Sequence, residues 1–143
     1  MDGHAAATGR CLCGAVTFTA RAVGGEMHAC HCGMCRRWGG GPFLAVAAKA
    51  EDMTWTGADA IATYASSDWA ERGFCARCGA HLFYRMRESG DCELPLGLFD
   101  AEPPVRFASE IFADRAATAY AFAGERPRLS ETETIALFAG GGG

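Results

Sequence analysis

Two short stretches decide the fold: Phe74-Cys75-Ala76-Arg77-Cys78-Gly79-Ala80, and Gly9-Arg10-Cys11-Leu12-Cys13-Gly14 near the start of the chain. Each holds two close cysteines followed directly by a glycine, which frees the backbone to turn tightly around two thiolates. Two close pairs from distant segments are a common way to supply the four ligands of a tetrahedral zinc ion. The pairs therefore predict a metal ion that joins two distant parts of the chain.

A third group of cysteines lies between them, in Cys30-His31-Cys32-Gly33-Met34-Cys35. Either the two outer pairs share one metal, or the central triplet shares a metal with one of the pairs. The first grouping closes a site with four ligands and leaves the triplet with three ligands and an open position. Structural zinc sites are closed and catalytic ones keep an open position. We therefore predict a structural zinc on Cys11, Cys13, Cys75 and Cys78, and a catalytic zinc on Cys30, Cys32 and Cys35.

The residues beside the triplet are candidates for substrate binding. Arg36 and Arg37 follow it directly, and their guanidinium groups can bind a substrate carboxylate bidentately; alternatively they offset the thiolate charge. Trp38 is interpreted as a wall of the substrate site, with a place in the core as the alternative. His31 is either a fourth ligand or a hydrogen-bonding residue, and the second role is favoured.

Composition excludes several classes of function. The chain has 143 residues, which predicts a single domain over residues 1–143, and a formal net charge of −4. That charge is a poor match for nucleic acid. A run of about 18 apolar residues, as a membrane span requires, is absent. The start of the chain lacks a secretory pattern, so the eight cysteines are expected in a reducing, cytoplasmic setting, as ligands rather than disulfides.

The rest of the pattern is mostly β. Short segments with strand character alternate with glycine- and proline-containing turns, and Pro95 favours an edge position for its strand. A C-terminal helix is predicted from the capping-box spacing of Ser130 and Glu133, with an apolar face at Ile135 and 137–138. It should end at Gly140, and residues 140–143 are expected to be disordered. The candidate strands are 15–19, 43–46, 53–56, 61–64, 80–84, 94–99 and 106–107.

The three cysteine motifs with their flanks, from about residue 9 to about 129, resemble the glutathione-dependent formaldehyde-activating (Gfa-like) enzymes. Centromere protein V belongs to the same wider family. The segments that carry the resemblance are Gly9–Val16 with Phe18, Cys30–Arg37, Phe74–Ala80 with Leu82, Glu110–Phe112 and Pro127–Arg128.

The resemblance implies a small zinc-pinned β-tent of several short coiled antiparallel sheets, with the structural and catalytic metal sites assigned as above. It also implies a carbon–sulfur lyase, which joins glutathione to formaldehyde as S-(hydroxymethyl)glutathione. The expected partner is a small thiol such as glutathione, with no nucleic acid and no membrane.

Two other functions compete with this hypothesis. A non-enzymatic zinc module would bind a protein or nucleic acid, and a fourth protein ligand on the triplet metal would favour it. A redox enzyme of the methionine sulfoxide reductase kind would need Cys92 as its nucleophile and would leave the triplet unexplained.

Overall fold

The computed structural model describes residues 5–138 of the chain. Within them, ten strands in two sheets and two short helices make up the regular structure, together with four 3₁₀ turns. The predicted mainly β fold with a short C-terminal helix is confirmed. The strands are β1 Ala5–Arg10, β2 Thr17–Val23, β3 Glu26–Cys30, β4 Phe43–Ala48, β5 Met53–Thr56, β6 Ile61–Ala65, β7 Ala70–Cys75, β8 His81–Met86, β9 Cys92–Pro95 and β10 Arg106–Ile111; the helices are α1 Gly33–Gly39 and α2 Glu131–Leu137.

The chain divides into two compact units. Among the described residues, the first unit takes 5–26 and Ala45–Arg106, and the second takes Met27–Leu44 and 107–138. The outer cysteine pairs belong to the first unit and the triplet belongs to the second.

The first unit packs its strands around an aromatic core. One antiparallel sheet has the order β1-β2-β5, and β4-β9-β8-β7-β6 are neighbours in the other. The Trp55 ring lies 5.4 Å from that of Phe18 and 5.3 Å from that of Phe83. Gly73 makes room for Phe83, because a Cβ at this position would lie 2.2 Å from the ring. A side chain is therefore excluded at this point of β7.

The second unit places β10 beside β3. Directly after β3, the backbone N–H of His31 donates to the carbonyl of Ile111 at 3.0 Å. Helix α1 then begins with Cys32 at its N-cap, and Gly40 ends it in the left-handed conformation with a φ of 87°. The triplet therefore lies on a tight strand-to-helix connection.

Most of the predicted strands are present, with corrections. The sequence prediction missed β1, β3 and β7. The edge position inferred from Pro95 is wrong, because β9 lies between β4 and β8. Proline is tolerated there as the last residue of the strand, paired with Ala45. The backbone after Pro95 continues as a 3₁₀ turn over Leu96–Leu98 rather than as a strand.

The capping box of the C-terminal helix is present, with both of its hydrogen bonds. The predicted apolar face is wrong, because Ile135 is 52% exposed and Phe138 is also 52% exposed. The residue that α2 buries is Thr134. The predicted helix end at Gly140 and the predicted disorder of residues 140–143 lie outside the described residues.

Candidate metal centres and the residues around them

The four cysteines of the outer pairs converge in the first unit. Their Sγ atoms all lie within 4.8 Å of one another. Cys13 Sγ lies 3.7 Å from Cys11 Sγ and 3.8 Å from Cys75 Sγ. The four side chains therefore form one compact thiol cluster.

The two cysteine pairs of this cluster are followed by the same type of backbone turn. After the second cysteine of each pair, Gly14 has a φ of 81° and Gly79 a φ of 79°. The N–H of Gly14 donates to the Cys11 carbonyl at 3.2 Å, and that of Gly79 donates to the Cys75 carbonyl at 2.7 Å. Only glycine adopts this left-handed conformation without strain. The tight turns predicted from the two glycines are confirmed.

The spacing of these thiols fits a tetrahedral zinc ion. With Zn–S bonds of about 2.3 Å, tetrahedral geometry places sulfur atoms about 3.8 Å apart. The two observed Sγ–Sγ distances, 3.7 and 3.8 Å, match that value. Backbone N–H groups of Ala80 and Cys13 also lower the pKa of Cys78 to about 6, which favours the thiolate form that binds metal.

The triplet forms a second cluster, with its three Sγ atoms also within 4.8 Å of one another. Cys30 ends β3, and Cys32 Sγ accepts a hydrogen bond from the Cys35 N–H at 3.3 Å. Among the described residues, no fourth Cys, His, Asp or Glu ligand atom joins the three. The cysteines thus form the same two groups that their spacing favoured.

The thiols of the triplet influence one another strongly. Hydrogen bonds from Cys30 and Cys35, with the backbone N–H of Cys35, lower the pKa of Cys32. The hydrogen bonds to Cys32 and Cys35, together with burial, raise the pKa of Cys30. The thiolate form is therefore favoured at Cys32 and disfavoured at Cys30. A divalent cation is the partner that would stabilise all three thiolates together.

The three predicted substrate-binding residues lie on α1. Arg36 is exposed, and its Nη1 donates to the carbonyl of Arg115 at 2.6 Å. The side chain of Arg37 is exposed and makes no hydrogen bond or ion pair with any other residue of 5–138. Trp38 is half-buried. Of the two arginines, Arg37 has the guanidinium that is available to a ligand.

His31 is a hydrogen-bonding residue, the role favoured from the sequence. Its Nε2 lies 2.9 Å from Glu110 Oε1, and both side chains are buried. Neither ring nitrogen joins the triplet. No role for Glu110 was predicted from the sequence, although its position two residues after Ala108, on the same face of a strand, is a signal for a buried carboxylate.

Cys92 lacks the properties of a reactive nucleophile. It lines a cavity of about 380 Å³ in the first unit and is 5% exposed. Burial, with the neighbouring Glu93 charge, raises its pKa to about 12. Because the thiolate is the reactive form, this environment disfavours the redox alternative.

Comparison with known proteins assigns the family. The family model for the glutathione-dependent formaldehyde-activating enzyme matches residues 6–115. The chain belongs to this family.

Two relatives are similar over most of the chain. A protein named as an uncharacterized lyase, from Schizosaccharomyces pombe (strain 972 / ATCC 24843), is 27% identical over 128 residues, which cover 89% of this chain and 93% of that protein. A crystal structure of a Rhodobacter sphaeroides protein matches with a TM-score of 0.60 and 24% identity, covering 85% of this chain and 98% of that one. The second likeness supports the fold.

The described part of the chain has no helix with the length and apolar character needed to cross a membrane.

Proposed function

We propose that this protein is a zinc-dependent carbon–sulfur lyase that acts on the adduct of a small thiol and an aldehyde, as in the synthesis of S-(hydroxymethyl)glutathione. The observation that carries the proposal is the pair of unlike cysteine clusters: one has four thiols, and the other has three with no fourth ligand among the described residues. Membership of the formaldehyde-activating family and a relative named as a lyase support the same reaction class.

The two clusters suit different roles for zinc. The four-thiol cluster offers a complete ligand set, which is typical of a structural site. The triplet offers three ligands, which is typical of a site that accepts a substrate. We assign the structural zinc to Cys11, Cys13, Cys75 and Cys78, and the catalytic zinc to Cys30, Cys32 and Cys35.

In the proposed reaction, the sulfur of the thiol bonds to the carbonyl carbon of formaldehyde, and the thiol proton moves to the carbonyl oxygen. The reverse reaction breaks the same carbon–sulfur bond. The three cysteine side chains of the triplet would hold a zinc ion at the end of β3, and the ion would supply the Lewis acidity that lowers the pKa of an incoming thiol. The Cys35 N–H donates to Cys32 Sγ and fixes its position.

Arg37 and Trp38 are the proposed substrate contacts. The exposed Arg37 guanidinium lies two residues beyond the last ligand and suits a carboxylate of the thiol substrate. Arg36 is the second candidate, although its Nη1 already contacts the Arg115 carbonyl. We assign Trp38 to a wall of the site. A cytoplasmic location and glutathione as the thiol belong to the same proposal.

A turnover assay with matched variants tests the reaction. Glutathione and formaldehyde would be mixed with the zinc-loaded protein, and their exchange with S-(hydroxymethyl)glutathione followed by NMR exchange spectroscopy. We expect Cys32→Ser to abolish catalysed exchange while the circular dichroism stays near that of the wild type, and Cys75→Ser to unfold the chain. Equal behaviour of the two variants would contradict the assignment of the two centres. Absence of catalysed exchange in a wild type that holds two zinc ions would favour the interaction module instead.

A further inference from the structure

A buried polar cluster lies beside the triplet in the second unit. It joins His31, Glu110 and Arg126, with Arg128 at its edge. Glu110 Oε1 lies 2.9 Å from His31 Nε2, and Glu110 Oε2 lies 2.7 Å from Arg126 Nη1. The carboxylate is 4% exposed and the Arg126 side chain is 9% exposed, while Arg128 Nε approaches Oε1 at 3.4 Å from a more exposed position. We call these four residues the Glu110 cluster.

The backbone of Glu110 is also fixed by hydrogen bonds to the segment that carries Arg126 and Arg128. The N–H of Glu110 donates to the Pro127 carbonyl at 3.0 Å, and the N–H of Leu129 donates to the Glu110 carbonyl at 2.9 Å. Aromatic rings pack on the polar groups: Phe107 lies 4.0 Å from the Arg126 guanidinium, and Phe122 lies 6.0 Å from the His31 ring. The carboxylate of Glu110 therefore has a fixed position.

The ionisation state of Glu110 sets the direction of the hydrogen bonds. Burial alone would raise its pKa, but the hydrogen bonds from Arg126, His31 and Arg128 lower it. An ionised carboxylate only accepts hydrogen bonds, so Nε2 of His31 donates. Nδ1 of His31 is buried and has no hydrogen-bond partner in the described part of the chain. The bond to Glu110 is thus the one that orients the imidazole there.

His31 is the middle residue of Cys30-His31-Cys32. Its backbone N–H is bound to Ile111 at 3.0 Å and its ring to Glu110 at 2.9 Å. Both partners are neighbours on β10, so residue 31 is held at two points by one strand. With its middle residue fixed, this three-residue segment has little freedom to change the directions of its two cysteine side chains.

We propose that Glu110 is a positioning residue of the triplet centre: it acts through His31 to hold Cys30 and Cys32 in the arrangement that binds the metal ion. The inference rests on the proposed function of that centre and deepens it. Removing charges from water is costly, and an apolar cluster of similar volume often gives equal or greater stability. A positioning role accounts for a buried ionic cluster at this place.

The test measures metal binding rather than turnover. The zinc affinities of the two centres would be determined by competition with a chromophoric chelator, which resolves two binding steps. The weaker binding step is assigned to the triplet if it is lost in Cys32→Ser, and the other is the four-thiol step. Loss of an outer-shell partner typically lowers metal affinity about 10- to 100-fold. We expect Glu110→Gln and His31→Phe each to weaken the triplet step by about tenfold or more, with the four-thiol step unchanged. In cobalt-loaded protein, the charge-transfer band of the triplet, taken as the difference from Cys32→Ser, should shift in both variants.

A double variant separates positioning from general destabilisation. If Glu110 acts through His31, the His31→Phe/Glu110→Gln protein should lose no more affinity at the triplet than either single variant. Glu71→Gln is the control, because Glu71 also forms an ion pair with an arginine, accepting hydrogen bonds from Arg85 at 2.9 and 2.6 Å; it should leave both steps unchanged. If Glu110→Gln fails to fold, His31→Phe still tests the proposal, because it leaves the Glu110–Arg126 ion pair intact.

An unchanged triplet step in His31→Phe, or losses that multiply in the double variant, would overturn the inference. This failure differs from failure of the proposed function, which would appear as a wild type with two zinc ions and no turnover. The chelator measurement requires no substrate.

Discussion

At the scale of single residues, the pKa values of the buried Glu110 and the half-buried Glu93 are shifted in opposite directions. Glu110 is surrounded by two arginines and a histidine, whose hydrogen bonds outweigh burial and keep its pKa low. Glu93 lies on β9 between Ala47 of β4 and Tyr84 of β8, and burial alone raises its pKa to about 7. The neighbouring groups, rather than burial itself, decide whether such a carboxyl group is charged near neutral pH.

Glu93 should make stability depend on pH. Its folded pKa of about 7 lies above the ordinary 4.5, so the folded state binds the proton more tightly. The stabilisation is complete below about pH 4.5 and is lost as pH rises through about 7. We expect the free energy of unfolding to fall by roughly 2 kcal/mol between about pH 5.5 and 8, and Glu93→Gln to remove this loss. Urea denaturation at both pH values measures the free energy of unfolding. If it fell by the same amount in the wild type and in Glu93→Gln, the raised pKa of Glu93 would be contradicted.

At the scale of elements, the short helices act as anchors for neighbouring loops. Helix α2 buries Thr134, whose Oγ1 donates to the Ser130 carbonyl at 2.7 Å and accepts from the Phe112 N–H at 3.2 Å. Phe112 has a positive φ of 51°, which is costly for a residue with a side chain. The bond from Thr134 therefore holds the turn that follows β10.

Replacing Thr134 by valine keeps the shape of the side chain and removes its hydroxyl group. The part-buried N–H of Phe112 then loses its partner, which typically costs about 1–3 kcal/mol. We expect Thr134→Val to lower the free energy of unfolding by that amount in a urea titration. The matched control is Thr132→Val on the exposed side of the same helix, which should change stability by less than about 0.5 kcal/mol. Equal effects of the two substitutions would show that the bond to Phe112 contributes nothing.

Elements with alternating β-branched and apolar residues were predictable from the sequence, whereas those shaped by close packing were not. Strand β5 was predicted with its observed bounds, Met53–Thr56. Strand β1 was missed because it is rich in alanine and contains Gly9, where a Cβ would lie 2.3 Å from the Phe18 ring. Strands β1 and β7 each contain a glycine, which lowers the propensity of the segment to form a strand. Each glycine is required because an aromatic ring of a neighbouring strand lies where its Cβ would be.

At the scale of the whole molecule, the chain carries one cysteine cluster in each of its two units. The groups could be predicted because the cysteines occur in the sequence as two close pairs and one close triplet, and because a set of four thiols and a set of three suit different kinds of zinc site. The role of Glu110 could not, because its contact with His31 joins residues 79 positions apart. Local spacing thus predicts the ligands, while the groups that orient them depend on the tertiary fold.

The most direct test of the central claim is a native mass spectrum of the purified chain, recorded with and without glutathione, for the wild type and for Cys32→Ser. A denaturing spectrum of each sample excludes a mixed disulfide. We predict two zinc ions and one non-covalent glutathione in the wild type, and one zinc ion without glutathione in Cys32→Ser. A wild type with a single zinc ion, or a glutathione adduct that persists in Cys32→Ser, would contradict an open three-thiol zinc centre as the site of thiol binding.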